Sequence, residues 1–199
     1  MRAFIAINLS DTLKEELVGL QQRLDEKVKG IRWLKPDQLH ITMKFLGEID
    51  TDEIAFFAPF LAELGKRMCS FHITFSGLGC FPNNRYPRVV WIGVDEGAEQ
   101  LSLLSAGIEE VFSFEPKNPL QPEKTKKGAD KFKKKDGFIP HLTLGRRIKK
   151  EKVKLAEGLL KEKWRCNNFL HVDAFCLMKS TLRSSGAEYN LLQRFPLHS

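Results

Sequence analysis

The sequence predicts an α+β fold: two pseudo-symmetric lobes, each an antiparallel sheet with helices on its outer face, and an active-site cleft between them. Three observations carry that prediction. The motif His-Ile-Thr-Met at 40–43 recurs as His-Leu-Thr-Leu at 141–144, 101 residues on (141 minus 40), about half of the 199-residue chain. Each copy lies in a run of alternating polarity, which reads as a half-buried strand. Amphipathic helical stretches alternate with adjacent strand-like runs, the pattern of a sheet covered on one face.

A strand over 3–9 comes first. A helix then starts near Ser10 or Asp11, with Leu13, Leu17, Leu20, Leu24 and Val28 as its apolar stripe. The first motif strand spans 38–46, and a helix from about Thr51 turns Ile54, Phe57, Leu61, Leu64 and Met68 inward. Strands near 71–81 and 88–94 follow, with Asn83 and Asn84 marking the turn between them. The second half repeats this order with a helix over 98–112, the second motif strand at 138–146 and a helix from 151 to 164. Strands near 169–179 and 187–195 close it. The expected unit is one bilobal domain over 1–199, with the two motif strands in opposite lobes.

Alternation sets the chemistry. His40 and Thr42 share one face of their strand, as do His141 and Thr143, while Leu39, Ile41, Met43 and Phe45, and Ile139, Leu142 and Leu144, form the opposite apolar faces. A one-residue slip would bury the polar pairs, so burial fixes the register. An imidazole titrates near pH 6.5, so of two histidines one can accept a proton while the other donates one. Cleaving a phosphodiester needs both events, because the nucleophile loses a proton and the departing sugar oxygen gains one. Two threonine hydroxyls can donate to non-bridging phosphate oxygens, and Arg146 adds a planar cationic fork. A metal centre is disfavoured by ligand spacing, since neither motif carries a carboxylate or cysteine in register and no H-E-x-x-H or cysteine cluster occurs. No metal and no cofactor are expected.

The pair of H-x-T-x motifs resembles the 2H phosphoesterase superfamily, and the surrounding words resemble its RNA 2′,3′-cyclic phosphodiesterase branch, also called 2′-5′ RNA ligases. The likeness includes Arg2-Ala3-Phe4-Ile5-Ala6, Arg32-Trp33, Lys44-Phe45-Leu46-Gly47-Glu48 and Phe81-Pro82. It extends through Pro87-Arg88-Val89-Val90-Trp91, Pro140 and Gly145-Arg146 to Ser180, Leu182, Gly186 and Tyr189. The resemblance implies metal-independent hydrolysis of a 2′,3′-cyclic phosphate RNA end to a 2′-phosphate. It makes His40 the proton donor to the leaving 3′ oxygen and His141 the proton acceptor from water, with 2′-5′ ligation as a reverse reaction. It also implies the bilobal fold.

Around this centre, Phe45 and Trp33 are candidates for stacking on a base or for core packing, and Arg88 and Arg183 for bordering the cleft or forming surface ion pairs. His72, His171 and His198 lack a threonine partner and read as structural or surface residues. A lysine-rich stretch over 117–136 holds eight lysines against Glu123, Asp130 and Asp136, a net +5 of the chain's formal +7. It reads as a long loop that either holds an RNA backbone by counterion release or is a solvated insertion. Cys69, Cys80, Cys166 and Cys176 read as buried free thiols. Neither a signal-peptide layout nor a spanning apolar run is seen, so a cytoplasmic monomer is expected, acting on RNA ends such as tRNA fragments and not on DNA or membranes. The alternatives left open are a phosphodiesterase for small cyclic nucleotide phosphates and a non-catalytic RNA-end binding module.

Overall fold

The structure is a computed structural model that describes residues 1–113, 137–149, 151, 153, 155, 157–183 and 186–199. The lysine-rich stretch 117–136 lies outside the described residues. In chain order the elements are β1 (Arg2–Asn8), α1 (Asp11–Lys27), β2 (Ile31–Trp33), a 3-10 turn (Pro36–Gln38), β3 (His40–Glu48) and α2 (Thr51–Arg67). Then come β4 (Phe71–Ile73), β5 (Phe75–Phe81), β6 (Val89–Val94), α3 (Ala98–Val111), β7 (His141–Arg147), α4 (Glu157–Lys161), β8 (Leu170–Val172), β9 (Ala174–Arg183) and β10 (Gly186–Pro196).

Local chemistry sets the helix ends. The Ser10 hydroxyl caps α1 by accepting from the Leu13 amide, and the stripe Leu13, Leu17, Leu20 and Leu24 is fully buried. Asp50 and Glu53 form a reciprocal capping box at α2. Asn83 Oδ1 accepts from the Arg85 and Tyr86 amides, which builds the turn between β5 and β6.

Two four-stranded sheets result, with orders β10-β9-β1-β3 and β2-β7-β6-β5, and every neighbouring pair is antiparallel. On the first sheet, Phe57 and Leu61 of α2 pack with Leu46, Leu177, Phe195 and the post-α3 residue Phe112. The second sheet is covered by α1, whose buried Gln21 donates to the Leu34 and Leu144 carbonyls, and α1 is tied to α4's end by the Lys27–Glu162 ion pair. Each lobe therefore has helices on its outer face, as expected.

The lobes are not the two halves of the sequence. The C-terminal hairpin β9–β10 pairs with β1, so the first sheet joins both ends of the chain, while β2 inserts beside β7 in the second. Both crossings follow from antiparallel edge pairing: a strand goes where an unpaired neighbour waits. Phe4 and Ala6 on the cleft face of β1 form a small apolar cluster with Cys176, Met178 and Tyr189, separate from the main core. That is why all of residues 3–7 are buried.

Several expectations need correcting. The strand expected over 71–81 breaks at Thr74 into β4, which pairs with β8, and β5. The helix expected over 151–164 is described only as the short α4, and β2 went unpredicted because three residues carry too little periodicity. Cys69 is exposed and Cys80 half-buried, where both were expected to be buried, and the four thiols are free. Ile139 is exposed too, since it precedes β7 and escapes its alternation.

Candidate active site

The motif strands β3 and β7 lie in different sheets but run against each other, and the charge of Arg146 on β7 is felt at His40 on β3. Each strand has a bulge at the same place. Ile5 pairs with Lys44 and Ala6 with Thr42, leaving Met43 unpaired; Val90 pairs with Gly145 and Trp91 with Thr143, leaving Leu144 unpaired. An extra residue shifts every later side chain to the other face. Ile41, Met43 and Lys44 are consequently buried in one strand, and Leu142, Leu144 and Gly145 in the other.

This corrects the apolar-face assignment of Phe45. Two-residue alternation would bury it with Met43, but the bulge turns it onto the face of His40 and Thr42, where it is 66% exposed. Arg146, also five residues after its histidine, reaches the face of His141 and Thr143 by the same device. Lys44 goes inward instead and is buried against Glu109 of α3, its ammonium 5.9 Å from the Phe112 ring centre. A charge so placed is tolerated because it is paired.

The two imidazoles are held alike. His40 Nδ1 lies 2.8 Å from the Gln38 carbonyl oxygen, and His141 Nδ1 lies 2.7 Å from that of Ile139. A carbonyl only accepts, so each bond requires Nδ1–H and puts the lone pair of the neutral ring on Nε2. Rings hold each imidazole in place. Phe4 and Tyr189 stand 4.9 and 5.2 Å from His40, Tyr189 edge-on; Phe81 and Trp91 stand 5.1 and 5.7 Å from His141, Phe81 edge-on. Burial pushes the His40 pKa down from 6.5 to about 4, against the Gln38 hydrogen bond, and the Arg146 charge adds to the depression. Arg146 therefore acts electrostatically across the cleft on the opposite lobe's histidine.

The remaining candidates separate. Trp33 donates Nε1–H to Asp25 and packs on the core, so it braces α1 and does not stack in the cleft. Arg88 is exposed just before β6, where its carbonyl accepts from the Arg147 amide. Alternation from Val89, the partner of Arg146, starts Arg88 on the face opposite Arg146. Arg183 is engaged with Glu188 within the terminal hairpin. His72 and His171 are stacked cross-strand partners in β4–β8, and His198 bridges Cys69. Among the described residues no three His, Cys, Asp or Glu side chains converge on one point, and no helix is long and apolar enough to cross a membrane.

Sequence reasoning assigned no role to Phe4, Phe81, Trp91, Tyr189 or Gln21. The four aromatics had appeared only as words of the resemblance. Gly79 was a usable signal: it is the registered partner of Trp91, whose indole lies where a Cβ would stand. Gln21 ties the Leu144 bulge carbonyl to Leu34, just ahead of the turn that leads to His40.

Comparison with known proteins gives a consistent picture. The LigT-like phosphoesterase family model matches residues 7–91. An Aquifex aeolicus protein named RNA 2′,3′-cyclic phosphodiesterase is 33% identical over 199 residues, covering 99% of this chain and 97% of its own. One of the same name from Archaeoglobus fulgidus is 33% identical, covering 98% and 99%. A crystal structure of a Thermus thermophilus protein superposes with a TM-score of 0.79 at 26% identity, covering 99% of this chain and 98% of that one. E. coli LigT in apo form gives 0.75 at 21% identity, covering 100% and 98%. With the duplicated motif, the two-lobed fold and full-length relatives in agreement, the chain belongs to the LigT-like (2H) phosphoesterase family.

Proposed function

We propose that this protein hydrolyses RNA ends carrying a 2′,3′-cyclic phosphate to 2′-phosphate ends, using His40 and His141 as its proton carriers and no metal. The observation that carries the reading is the repeated Nδ1–H to carbonyl bond, which puts the lone pair of both neutral rings on Nε2, the nitrogen that then exchanges the proton, on strands that run against each other. The names of the full-length relatives support the choice of substrate.

Water attacks phosphorus and gives its proton to Nε2 of His141. The P–O3′ bond breaks, and the leaving 3′ oxygen takes a proton from Nε2 of His40. One proton enters and one leaves, so exchange with solvent restores both rings. Thr42 and Thr143 donate to the non-bridging oxygens, and Arg146 neutralises charge that grows in the transition state. With its pKa lowered to about 4, His40 is mostly neutral at neutral pH until an anion binds beside it. The anionic phosphate supplies the missing counter-charge, so substrate and proton bind together. With the 5′-hydroxyl of a second RNA in place of water, the same steps would form a 2′-5′ phosphodiester as the P–O3′ bond breaks, which is the ligation reading.

The test is incubation of the purified protein, in excess chelator, with a short RNA ending in a 2′,3′-cyclic phosphate, resolving 2′- from 3′-phosphate products. A 2′-phosphate supports the reading. A 3′-phosphate or a metal requirement contradicts the mechanism, and tight binding without product favours an RNA-end binding module.

A further inference from the structure

Arg32 on β2 is the registered partner of Arg146 on β7, within the ladder Ile31↔Arg147, Arg32↔Arg146 and Trp33↔Gly145. Directly opposed residues of an antiparallel pair share a face, with Cβ atoms about 5 Å apart. Burial decides which face it is. Ile31 is buried and Trp33 packs on the core, so Arg32 between them points the other way, to the cleft side with Arg146. Both arginines are exposed, and neither has an acidic partner among the described residues. On its other side Arg146 is flanked by Val89, which offers no counter-charge.

Like charges placed directly opposite destabilise a sheet, and an anion between two guanidinium forks removes that repulsion while accepting from both. Arg146 is the inner member of the pair, since its charge reaches His40. We propose that Arg32 extends the anion site outward from Arg146, whose fork then lies between the reacting cyclic phosphate and a second phosphate group of the substrate, one ribose away, held by Arg32. This rests on the phosphodiesterase reading of the cleft and deepens it. Two sources share that chemistry: the phosphodiester of the preceding nucleotide in RNA, and a 5′-phosphate on a cyclic mononucleotide.

The experiment compares wild type with Arg32→Gln on cytidine 2′,3′-cyclic phosphate, its 5′-phosphorylated form and the dinucleotide cytidylyl-cytidine 2′,3′-cyclic phosphate. The variant raises KM roughly 10- to 100-fold where a second phosphate is present, the loss of a charge-assisted hydrogen bond, and at least fivefold less for the first compound. Loss on the dinucleotide alone identifies the phosphodiester as the natural occupant; loss on both identifies any second phosphate. Relief of repulsion keeps Tm level or raises it by roughly 1–3 °C, which a merely structural arginine would not do. Equal losses on all three compounds, or none, overturn the proposal. Affinities for the corresponding 2′-phosphate products are read in parallel. A wild type that turns over nothing then refutes the activity, while product binding still decides the subsite.

Discussion

The strands bearing His40 and His141 are two solutions to one problem built from different neighbours. Both lock Nδ1 onto the carbonyl two residues back, both bulge one residue after the threonine, and both send the fifth residue after the histidine into the cleft. They differ in what that fifth residue is. Phe45 brings an aromatic face to one lobe, whereas Arg146 brings a cation to the other. They differ in support as well: β3 is an edge strand held from behind by the Lys44–Glu109 pair, while β7 is interior and leans on Gly145 packed closely against Ile31 and Trp33. Equivalent backbones thus place equivalent imidazoles, and unequal side chains give the cleft a direction. A nucleotide is itself unequal, with a flat base at one end and charge at the other.

If the histidines are equivalent in necessity, His40→Ala and His141→Ala each lower kcat by about 10²- to 10⁴-fold in cyclic phosphate hydrolysis. A large loss in one and a small loss in the other would break the comparison at its centre. Removing the hydroxyls by Thr42→Val or Thr143→Val costs roughly 10- to 100-fold each, read in kcat more than in KM, because the bonds strengthen as charge develops.

The unequal side chains predict unequal electrostatics. Arg146→Met lowers kcat/KM about tenfold and moves the His40 pKa upward from about 4, since a positive charge opposing protonation is gone. Titration of the imidazole by NMR checks the sign; a downward move would contradict it. The depressed His40 also acts on stability. Its folded pKa lies below the ordinary 6.5, so the unfolded chain binds its proton first as pH falls. The contribution is fully present above about 6.5 and is lost on going down towards 4, by roughly 2–3 kcal/mol. Denaturant unfolding at pH 7.5 and 4.5 should show that loss in the wild type and a smaller one in His40→Gln.

Much of this was legible in the sequence, for physical reasons. Strong helical periodicity placed α1, α2 and α3 within a residue or two, because their stripes are long; side-chain caps at Ser10 and at Asp50 with Glu53 fix the starts of the first two. Period-two alternation placed the motif strands and the face of His40, Thr42, His141 and Thr143. It failed beyond each threonine, because a bulge is one extra residue with no composition mark of its own, and Phe45 changed sides. Partner choice was also hidden. Nothing local tells β9 and β10 to join β1, or Tyr189 to stand against His40 from 149 positions away (189 minus 40), since such contacts depend on sheet order.

The most direct test of the division of labour replaces the leaving 3′ oxygen of the cyclic phosphate by sulfur, which departs without needing a proton. Hydrolysis rates of this substrate are compared in the wild type, His40→Ala and His141→Ala. If His40 protonates the leaving group, His40→Ala recovers to within about tenfold of wild type, while His141→Ala keeps most of its loss because water still needs a base. Rescue of His141→Ala in place of His40→Ala would reverse the two roles, and rescue of neither would remove leaving-group protonation from the account.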